Sequence, residues 1–125
     1  MLARYQIVRG KRPAGNPLPQ GTRIDVRKHV HHVLSPNAES VVRLLDDPAG
    51  GFAEFAREYR ALLAQRFREQ RAAFDALAEL ARREDVYIGC NCPTRKNPDV
   101  QRCHTVLALQ FMQQKYPALR VQLPA

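Results

Sequence analysis

The sequence contains no apolar run that approaches the roughly 20 residues needed to cross a bilayer. Its N-terminal stretch, MLARYQIVRGKRP, also lacks a long apolar segment followed by a small-residue cleavage site. Cysteine is scarce, and the three cysteines are an odd number, so a closed disulfide framework would leave one of them unpaired. We therefore predict a cytoplasmic protein without a membrane partner, whose cysteines are free thiols or metal ligands in a reducing compartment.

Common catalytic signatures are absent as well. The chain has no phosphate-binding P-loop, no dinucleotide fingerprint and no G-x-S-x-G nucleophile elbow. It also contains no internal repeat. Positive charge is abundant instead, with a formal net charge of +8 and a pI of about 10.0. Clustered arginine and lysine favour phosphate-bearing partners, because their binding releases counterions. A surplus of arginine also suits a GC-rich genome or a heat-adapted host, so charge alone selects no single partner.

The size and composition of the chain are typical of one folded domain. It has 125 residues, of which 45% are hydrophobic and 26% are charged. We predict a single compact α/β domain over residues 1–125, with a small, mostly parallel sheet flanked by helices. Extended segments are expected at 3–10 and 22–30, and a loop at 9–21 that is basic at its start connects them. Four side chains of these segments should point inward: Tyr5, Ile7, Ile24 and Val26.

Capping residues and side-chain spacing locate the first helices. Ser35 is expected to cap a short helix that has Pro36 at its first position, and the proline and glycines within 48–51 should end it. Residues 52–83 contain no glycine or proline, and their aromatic and leucine side chains recur every three or four residues. This pattern predicts an amphipathic helix that is either bent or divided in two.

The second half of the chain alternates strand and helix. The short apolar segment DVYIGCNC, at 85–92, follows a helix and predicts a buried central strand with parallel neighbours. VQRCHTVLALQFMQQKY, at 100–116, returns to helical periodicity, and this helix should begin either at Asn97 or nearer Cys103. The tail ALRVQLPA is expected to add an edge strand.

All three cysteines and one histidine fall within IGCNCPTRKNPDVQRCH, at 88–104. On a strand, alternation places Cys90 and Cys92 on the same side. Cys103 and His104 lie about 100° apart around a helix, so only one of them need face the end of the strand. The connecting loop lies at the carboxyl end of the sheet, where ligand sites of open α/β folds concentrate. This segment is therefore the leading candidate for a functional site.

Three interpretations of the cluster remain open. It could be a Cys₃His zinc site, although the spacing C-x-C-x₁₀-C-H lacks the paired C-x₂-C knuckles of structural zinc sites. Cys103 or Cys90 could be a nucleophile with His104 as its base, since a helix N-terminus and nearby arginines lower the pKa of a thiol. The cysteines could also be small buried apolar residues, with His104 satisfying a hydrogen bond. We select Cys103, His104 and Cys90 as catalytic candidates and assign no metal ligand.

Two further groups of residues bear on ligand binding. The amides at the start of the last helix, together with Arg95, Lys96 and Arg102, could form a cradle for phosphate or carboxylate. The segment HVHH would place His29 and His31 on one face of a strand, where they could capture a metal ion or simply form a polar strand end.

The order of several motifs resembles that of a known family. RIDVRKHVHHVLSP is followed by LSPNAESVVRLLDDPAGGFAEFAREYRALL and then by VYIGCNC and RCHTVLALQFM, a similarity that runs from about Ile24 to Met112. This order resembles the YeaO-like proteins grouped as domain of unknown function 488. The resemblance implies a compact α/β domain and brings no established reaction. It also implies a pocket formed by five residues: Asp25, Arg27, Cys90, Cys103 and His104.

The leading hypothesis combines these features. A pocket at the strand-to-helix loop 90–104 binds an anionic small molecule, for example a nucleotide, and acts on it through Cys103 or Cys90 with the help of His104. Arg27 and Arg102 would hold the anion, with Arg95 nearby in the ligand site. Asp25 would orient either Arg27 or His104. The sequence identifies no cofactor, and it leaves a homodimer open as the assembly.

Two rival hypotheses come from other classes of protein. A nucleic-acid-binding accessory protein would use the basic loop and five arginines on helix faces: Arg66, Arg68, Arg71, Arg82 and Arg83. A structural zinc domain would instead unfold when a chelator removes the ion.

Overall fold

Three parallel strands form a sheet whose spatial order is β1–β3–β2. The computed structural model describes residues 1–125. In chain order the elements are β1 (Leu2–Gln6), β2 (Thr22–Asp25), α1 (Ala38–Asp46), α2 (Pro48–Glu69), α3 (Arg71–Arg83), β3 (Val86–Cys90), a 3₁₀ turn (Val100–Arg102) and α4 (His104–Lys115). None of these helices combines the length and the apolar character that a membrane span requires.

The predicted α/β class with a small parallel sheet is confirmed, and β3 is its central strand. Gln6 of β1 pairs with Cys90, and Asp25 of β2 pairs with Gly89. The carboxyl ends of all three strands therefore meet at one edge of the sheet. This edge carries the cysteine segment.

The first two extended segments are shorter than the sequence predicts. The first strand ends at Gln6, and the second ends at Asp25, after which the chain turns with the Val30 amide donating to the Arg27 carbonyl at 3.0 Å. Of the four side chains expected to point inward, Val26 is fully buried, whereas Tyr5, Ile7 and Ile24 are half-buried.

The predicted boundaries of α1 were wrong at both ends. Asn37, rather than Ser35, caps this helix, because its side-chain oxygen accepts from the Glu39 amide at 2.9 Å. At the other end the helix stops at Asp46, and Pro48 begins α2 instead of ending α1. Proline suits a first helical position because that residue needs no amide donor, and Asp47 caps the new helix. Gly50 and Gly51 consequently lie inside α2.

The long helical region is divided in two at Gln70, which is one of the two predicted alternatives. The break allows α3 to fold back, so that the Phe74 ring lies 5.3 Å from the Phe67 ring of α2. Phe111 of α4 completes this aromatic group, at 5.7 Å from Phe74. Helices α2, α3 and α4 thus share one apolar core with the sheet.

The C-terminal tail forms less sheet than predicted. Only one bridge, between Val121 and Leu2, joins it to the outer edge of β1. The Leu2 amide donates to the Arg120 carbonyl at 2.9 Å, and the Gln122 amide donates to the Leu2 carbonyl at 2.8 Å. The tail therefore covers the start of the edge strand without extending the sheet.

Gly21, just before β2, permits a close approach of two chain segments. It has a φ of +139°, and an added Cβ atom would lie 2.6 Å from the Asp85 carbonyl oxygen. We expect Gly21→Ala to lower the free energy of unfolding by about 1–3 kcal/mol, measured by urea denaturation. Gly15→Ala is the matched control, because no atom lies within 4 Å of its added Cβ atom. Equal stability of the two variants would contradict the expectation.

Candidate functional site

Side-chain amides join the end of β1 to the segment that carries Cys90 and Cys92. The Gln6 side chain donates to the Asn91 carbonyl at 3.2 Å and to the Pro93 carbonyl at 2.8 Å. In return, the Asn91 side chain donates to the Ile7 carbonyl at 2.9 Å. These bonds fix the path of the chain immediately after β3, where it passes from Cys90 to Cys92.

The sulfur atoms of all three cysteines converge at this edge of the sheet. Those of Cys90, Cys92 and Cys103 lie within 4.8 Å of one another. Cys90 and Cys92 are half-buried, whereas Cys103 is only 1% exposed. Cys103 is the N-cap residue of α4, which begins at His104. Of the two predicted starts of this helix, the one nearer Cys103 is therefore correct.

Cys103 lies in surroundings that favour a thiolate. The Thr105 hydroxyl donates to its sulfur at 3.1 Å, and the same hydroxyl accepts from Arg4 Nε at 2.8 Å. Because arginine only donates, the single hydroxyl hydrogen of Thr105 is directed at the sulfur. The positive end of the α4 dipole adds to this effect.

The pKa values of the three thiols are shifted in different directions. Hydrogen bonds from Cys90 and Cys92 hold the pKa of the Cys103 thiol well below its ordinary value. The hydrogen bond between Cys90 and Cys103 raises the pKa of Cys90. The hydrogen bond between Cys92 and Cys103 raises the pKa of Cys92 to about 11. The hydrogen bonds of the cluster therefore favour ionisation of Cys103 over ionisation of its two neighbours.

His104 lies against the same sulfur. Its Nε2 atom is 2.8 Å from the Val26 carbonyl oxygen and so carries a hydrogen, which leaves Nδ1 facing the Cys103 sulfur at 3.9 Å. Burial lowers the pKa of His104, but its hydrogen bonds to Cys103 and Cys90 outweigh burial and raise it to about 10. Cys103 and His104 thus both face the strand end, although helical geometry required only one of them to do so.

A basic pocket of about 570 Å³ opens over this cluster. Cys90, Cys92 and His104 line it, whereas Cys103 lies behind them. No aspartate or glutamate lines the pocket. Its cationic side chains are Arg9, Arg27, Lys28, Arg95 and Lys96.

Asp25 holds Arg27 in place at the rim of the pocket. The carboxylate accepts from Arg27 Nη2 at 2.7 Å and from Nε at 3.0 and 3.1 Å. Side-chain hydrogen bonding to Arg27 lowers the pKa of Asp25, and the same bonds raise the pKa of Arg27. Of the two orienting roles considered for Asp25, the contacts are to Arg27 and not to His104.

The other predicted anion contacts are separated by the fold. Arg95 lines the pocket, but Arg102 does not, and its Nε atom lies 3.9 Å from an Asp99 carboxylate oxygen. The expected cradle of exposed helix-start amides was wrong, because Cys103 and His104 are buried at the start of α4. The pocket therefore presents side-chain cations to a ligand rather than helix amides.

Sequence reasoning missed several residues that shape the site. Arg4 and Thr105 are 101 positions apart, and no local pattern connects them. Asn97 is 1% exposed, and its side-chain nitrogen donates to the Arg102 carbonyl at 3.0 Å and contacts the Cys92 sulfur at 3.7 Å. Arg9 was predicted only as part of the basic loop, and Lys28 was missed, since charged loop residues are common in any basic chain.

The histidines of HVHH do not form one site. β2 ends before them, so strand alternation does not apply; His29 lines the cysteine pocket, whereas His31 lines a separate pocket of about 610 Å³. In that second pocket the His32 ring accepts from the Leu34 amide at 3.0 Å. Arg66 also lines it and donates to the Val33 carbonyl at 2.8 Å, so both side chains brace the segment before α1.

The arginines proposed for nucleic-acid binding are partly engaged elsewhere. Besides Arg66, Arg71 pairs with Asp75 at 3.2 Å and Arg82 pairs with Glu79 at 3.2 Å. These pairs reduce the free positive charge on the helix faces. In the pocket, Arg27 is paired with Asp25 in the same way, but the other four cationic side chains form no ion pair.

Comparison with known proteins identifies the family. No curated protein and no solved structure matches the chain. A family model described as the active DUF488-N3 subclade matches residues 11–116, which include the cysteine cluster, His104 and Arg27. The chain therefore belongs to the DUF488 family, as its resemblance to the YeaO-like proteins indicated.

Proposed function

We propose that this protein is a thiol-dependent enzyme that acts on an anionic small molecule, with Cys90 as the nucleophile. One observation carries the proposal: Cys90 lines a cationic pocket, and its sulfur lies within 4.8 Å of the sulfur atoms of Cys92 and Cys103. The description of the family subclade as active agrees with an enzymatic role. The proposal assigns binding and chemistry to different residues.

Binding rests on charge and size. The pocket presents arginine and lysine side chains without a lining carboxylate, and its volume of about 570 Å³ lies in the usual range for small-molecule sites. Arg27 is the anchor, because its pairing with Asp25 orients the guanidinium before a ligand arrives. Such a pocket suits a phosphate or carboxylate on a molecule of about nucleotide size.

The chemistry follows from which sulfur is accessible. Cys103 is 1% exposed, so a bound molecule reaches Cys90 or Cys92 first, and of these two it is Cys90 that also hydrogen-bonds to His104. As the Cys90 sulfur forms a bond to an electrophilic atom of the substrate, its proton passes to Cys103, and the leaving group takes the electron pair. Before this transfer, His104 stabilises the Cys103 thiolate through its Nδ1 atom, which lies 3.9 Å from the sulfur.

Two alkylating reagents of nearly equal size test the proposal. Iodoacetate is anionic and iodoacetamide is neutral, so the pocket should favour iodoacetate at Cys90. We expect Arg27→Gln to lower the ratio of the iodoacetate rate to the iodoacetamide rate by about 10-fold, or about 1.4 kcal/mol. Rates would be measured on reduced, chelator-treated protein, with the modified cysteine located by peptide mass mapping.

Two further variants serve as controls. Arg60→Gln removes one exposed arginine that does not line the pocket, and it should leave the ratio unchanged. Arg27→Gln removes a cation and also leaves the Asp25 carboxylate without its partner. The double variant Asp25→Asn with Arg27→Gln removes both charges, so it distinguishes these two effects. Raised salt should also lower the ratio in the unaltered protein. A ratio that is the same in Arg27→Gln, the double variant and the unaltered protein would refute the pocket as the anion site.

A further inference from the structure

We propose that Cys90, Cys92 and Cys103 together bind one thiophilic divalent cation of the Zn²⁺ class, with the fourth coordination position open to the pocket. The cation site stands on the positions of the three sulfur atoms. Only its consequence, inhibition of the thiol chemistry, rests on the proposed function. The site would make the reactivity of the pocket depend on the available concentration of such a cation.

The spacing of the sulfur atoms is close to that of a zinc–thiolate centre. With Zn–S bonds of about 2.3 Å, tetrahedral geometry places sulfur atoms about 3.8 Å apart. The three sulfurs already lie within 4.8 Å of one another. Binding would therefore require sulfur movements of about 1 Å or less.

Two of these sulfur atoms each contact a neighbouring hydrogen-bond donor, and such donors stabilise metal-bound thiolates. The Thr105 hydroxyl donates to the Cys103 sulfur at 3.1 Å, and the Asn97 side-chain nitrogen lies 3.7 Å from the Cys92 sulfur. Three thiolates and one divalent cation carry a net charge of about −1. The nearby positive charges of Arg4 and Arg27 compensate for it.

The pocket gives the ion a route to the cluster and a fourth ligand. Cys90 and Cys92 line the pocket, so an ion can arrive through it and retain a water molecule or accept an anion. Three protein ligands with one open position is the arrangement of reactive rather than closed structural zinc sites.

The fold itself does not depend on this ion. The main apolar core contains none of the three cysteines, and it joins the sheet to α2, α3 and α4. A chelator should therefore remove the ion without unfolding the chain, in contrast to a structural zinc domain. Coordination to the ion withdraws electron density from the Cys90 sulfur and makes it a weaker nucleophile, so the ion slows alkylation.

The experiment is a titration of the reduced, chelator-treated full chain with Zn²⁺. We expect a complex of one ion per chain by native mass spectrometry, and protection of Cys90 from iodoacetate at the same ion concentration. Cys92→Ser should raise the dissociation constant by at least about 100-fold, measured by competition with a chromophoric chelator. His31→Ala, which alters an exposed histidine outside the cluster, should bind as tightly as the unaltered chain.

The possible outcomes are distinct. Absence of a one-to-one complex, or an unchanged affinity in a Cys92→Ser protein that retains its thermal unfolding transition, would overturn the cation site. Ion binding without any preference for iodoacetate would leave the cation site standing and remove the proposed function. A preference for iodoacetate without ion binding would leave the proposed function standing and overturn the cation site.

Discussion

Cys90→Ser is expected to abolish the fast, anion-selective alkylation of the pocket and to reduce incorporation of iodoacetate to the background rate. A serine hydroxyl is a far weaker nucleophile than a thiol beside a thiolate, and the remaining pocket residues offer no replacement at the same position. Peptide mass mapping after a timed exposure to iodoacetate would measure the effect. Circular dichroism would show that the variant keeps its helices.

Cys92→Ser is the matched control for this loss. It removes the other half-buried cysteine, and the label should still be found on Cys90, because Cys90 keeps its contact with Cys103. The rate should change only through the replacement of one of the two thiols that donate to the Cys103 sulfur. Undiminished labelling in Cys90→Ser, with the label found on Cys92, would assign the nucleophile to Cys92. Labelling of Cys103 would instead show that the buried sulfur becomes accessible in solution.

Phe74→Ala is expected to lower the free energy of unfolding by about 3–5 kcal/mol. Phe74 is fully buried, and its ring lies 5.3 Å from Phe67 and 5.7 Å from Phe111. Its removal would leave a cavity where α3 meets α2 and α4, and it would also remove two aromatic contacts. Urea denaturation followed by far-ultraviolet circular dichroism would measure the loss.

A second phenylalanine provides the comparison. Phe52 is half-buried near the start of α2, at 6.5 Å from Phe55, so Phe52→Ala should cost less than half as much. If the two variants lost equal stability, the aromatic group at Phe74 would not be a principal support of the fold.

The parts of the fold that sequence reasoning identified are those where one physical signal dominates. The β3 segment is short and apolar and follows a long helix, which is sufficient to predict a central parallel strand. The boundary between α1 and α2 was missed because proline and glycine can either end a helix or begin one. The outcome there depends on the Asp47 side chain, which accepts from the Gly50 amide at 3.1 Å.

The candidate site shows the same division. Cys90, Cys103 and His104 could be selected from residue type and spacing. Asp25 and Arg27 were selected from the resemblance to the YeaO-like proteins, and the fold brings all five residues to one edge of the sheet. Arg4 and Thr105 could not be selected, because their meeting depends on α4 packing against β1. Arg102 was misplaced since it lies next to Cys103 in sequence, whereas the 3₁₀ turn directs it toward Asp99.

The burial pattern of β3 determines where the sulfur of Cys90, the proposed nucleophile, points. Side chains alternate along a strand, so Val86, Ile88 and Cys90 share one face, and the first two are fully buried. A shift of this strand by one residue would expose both apolar side chains and turn the sulfur to the opposite face. The hydrophobic effect that buries two ordinary core residues therefore also sets the direction of the Cys90 side chain.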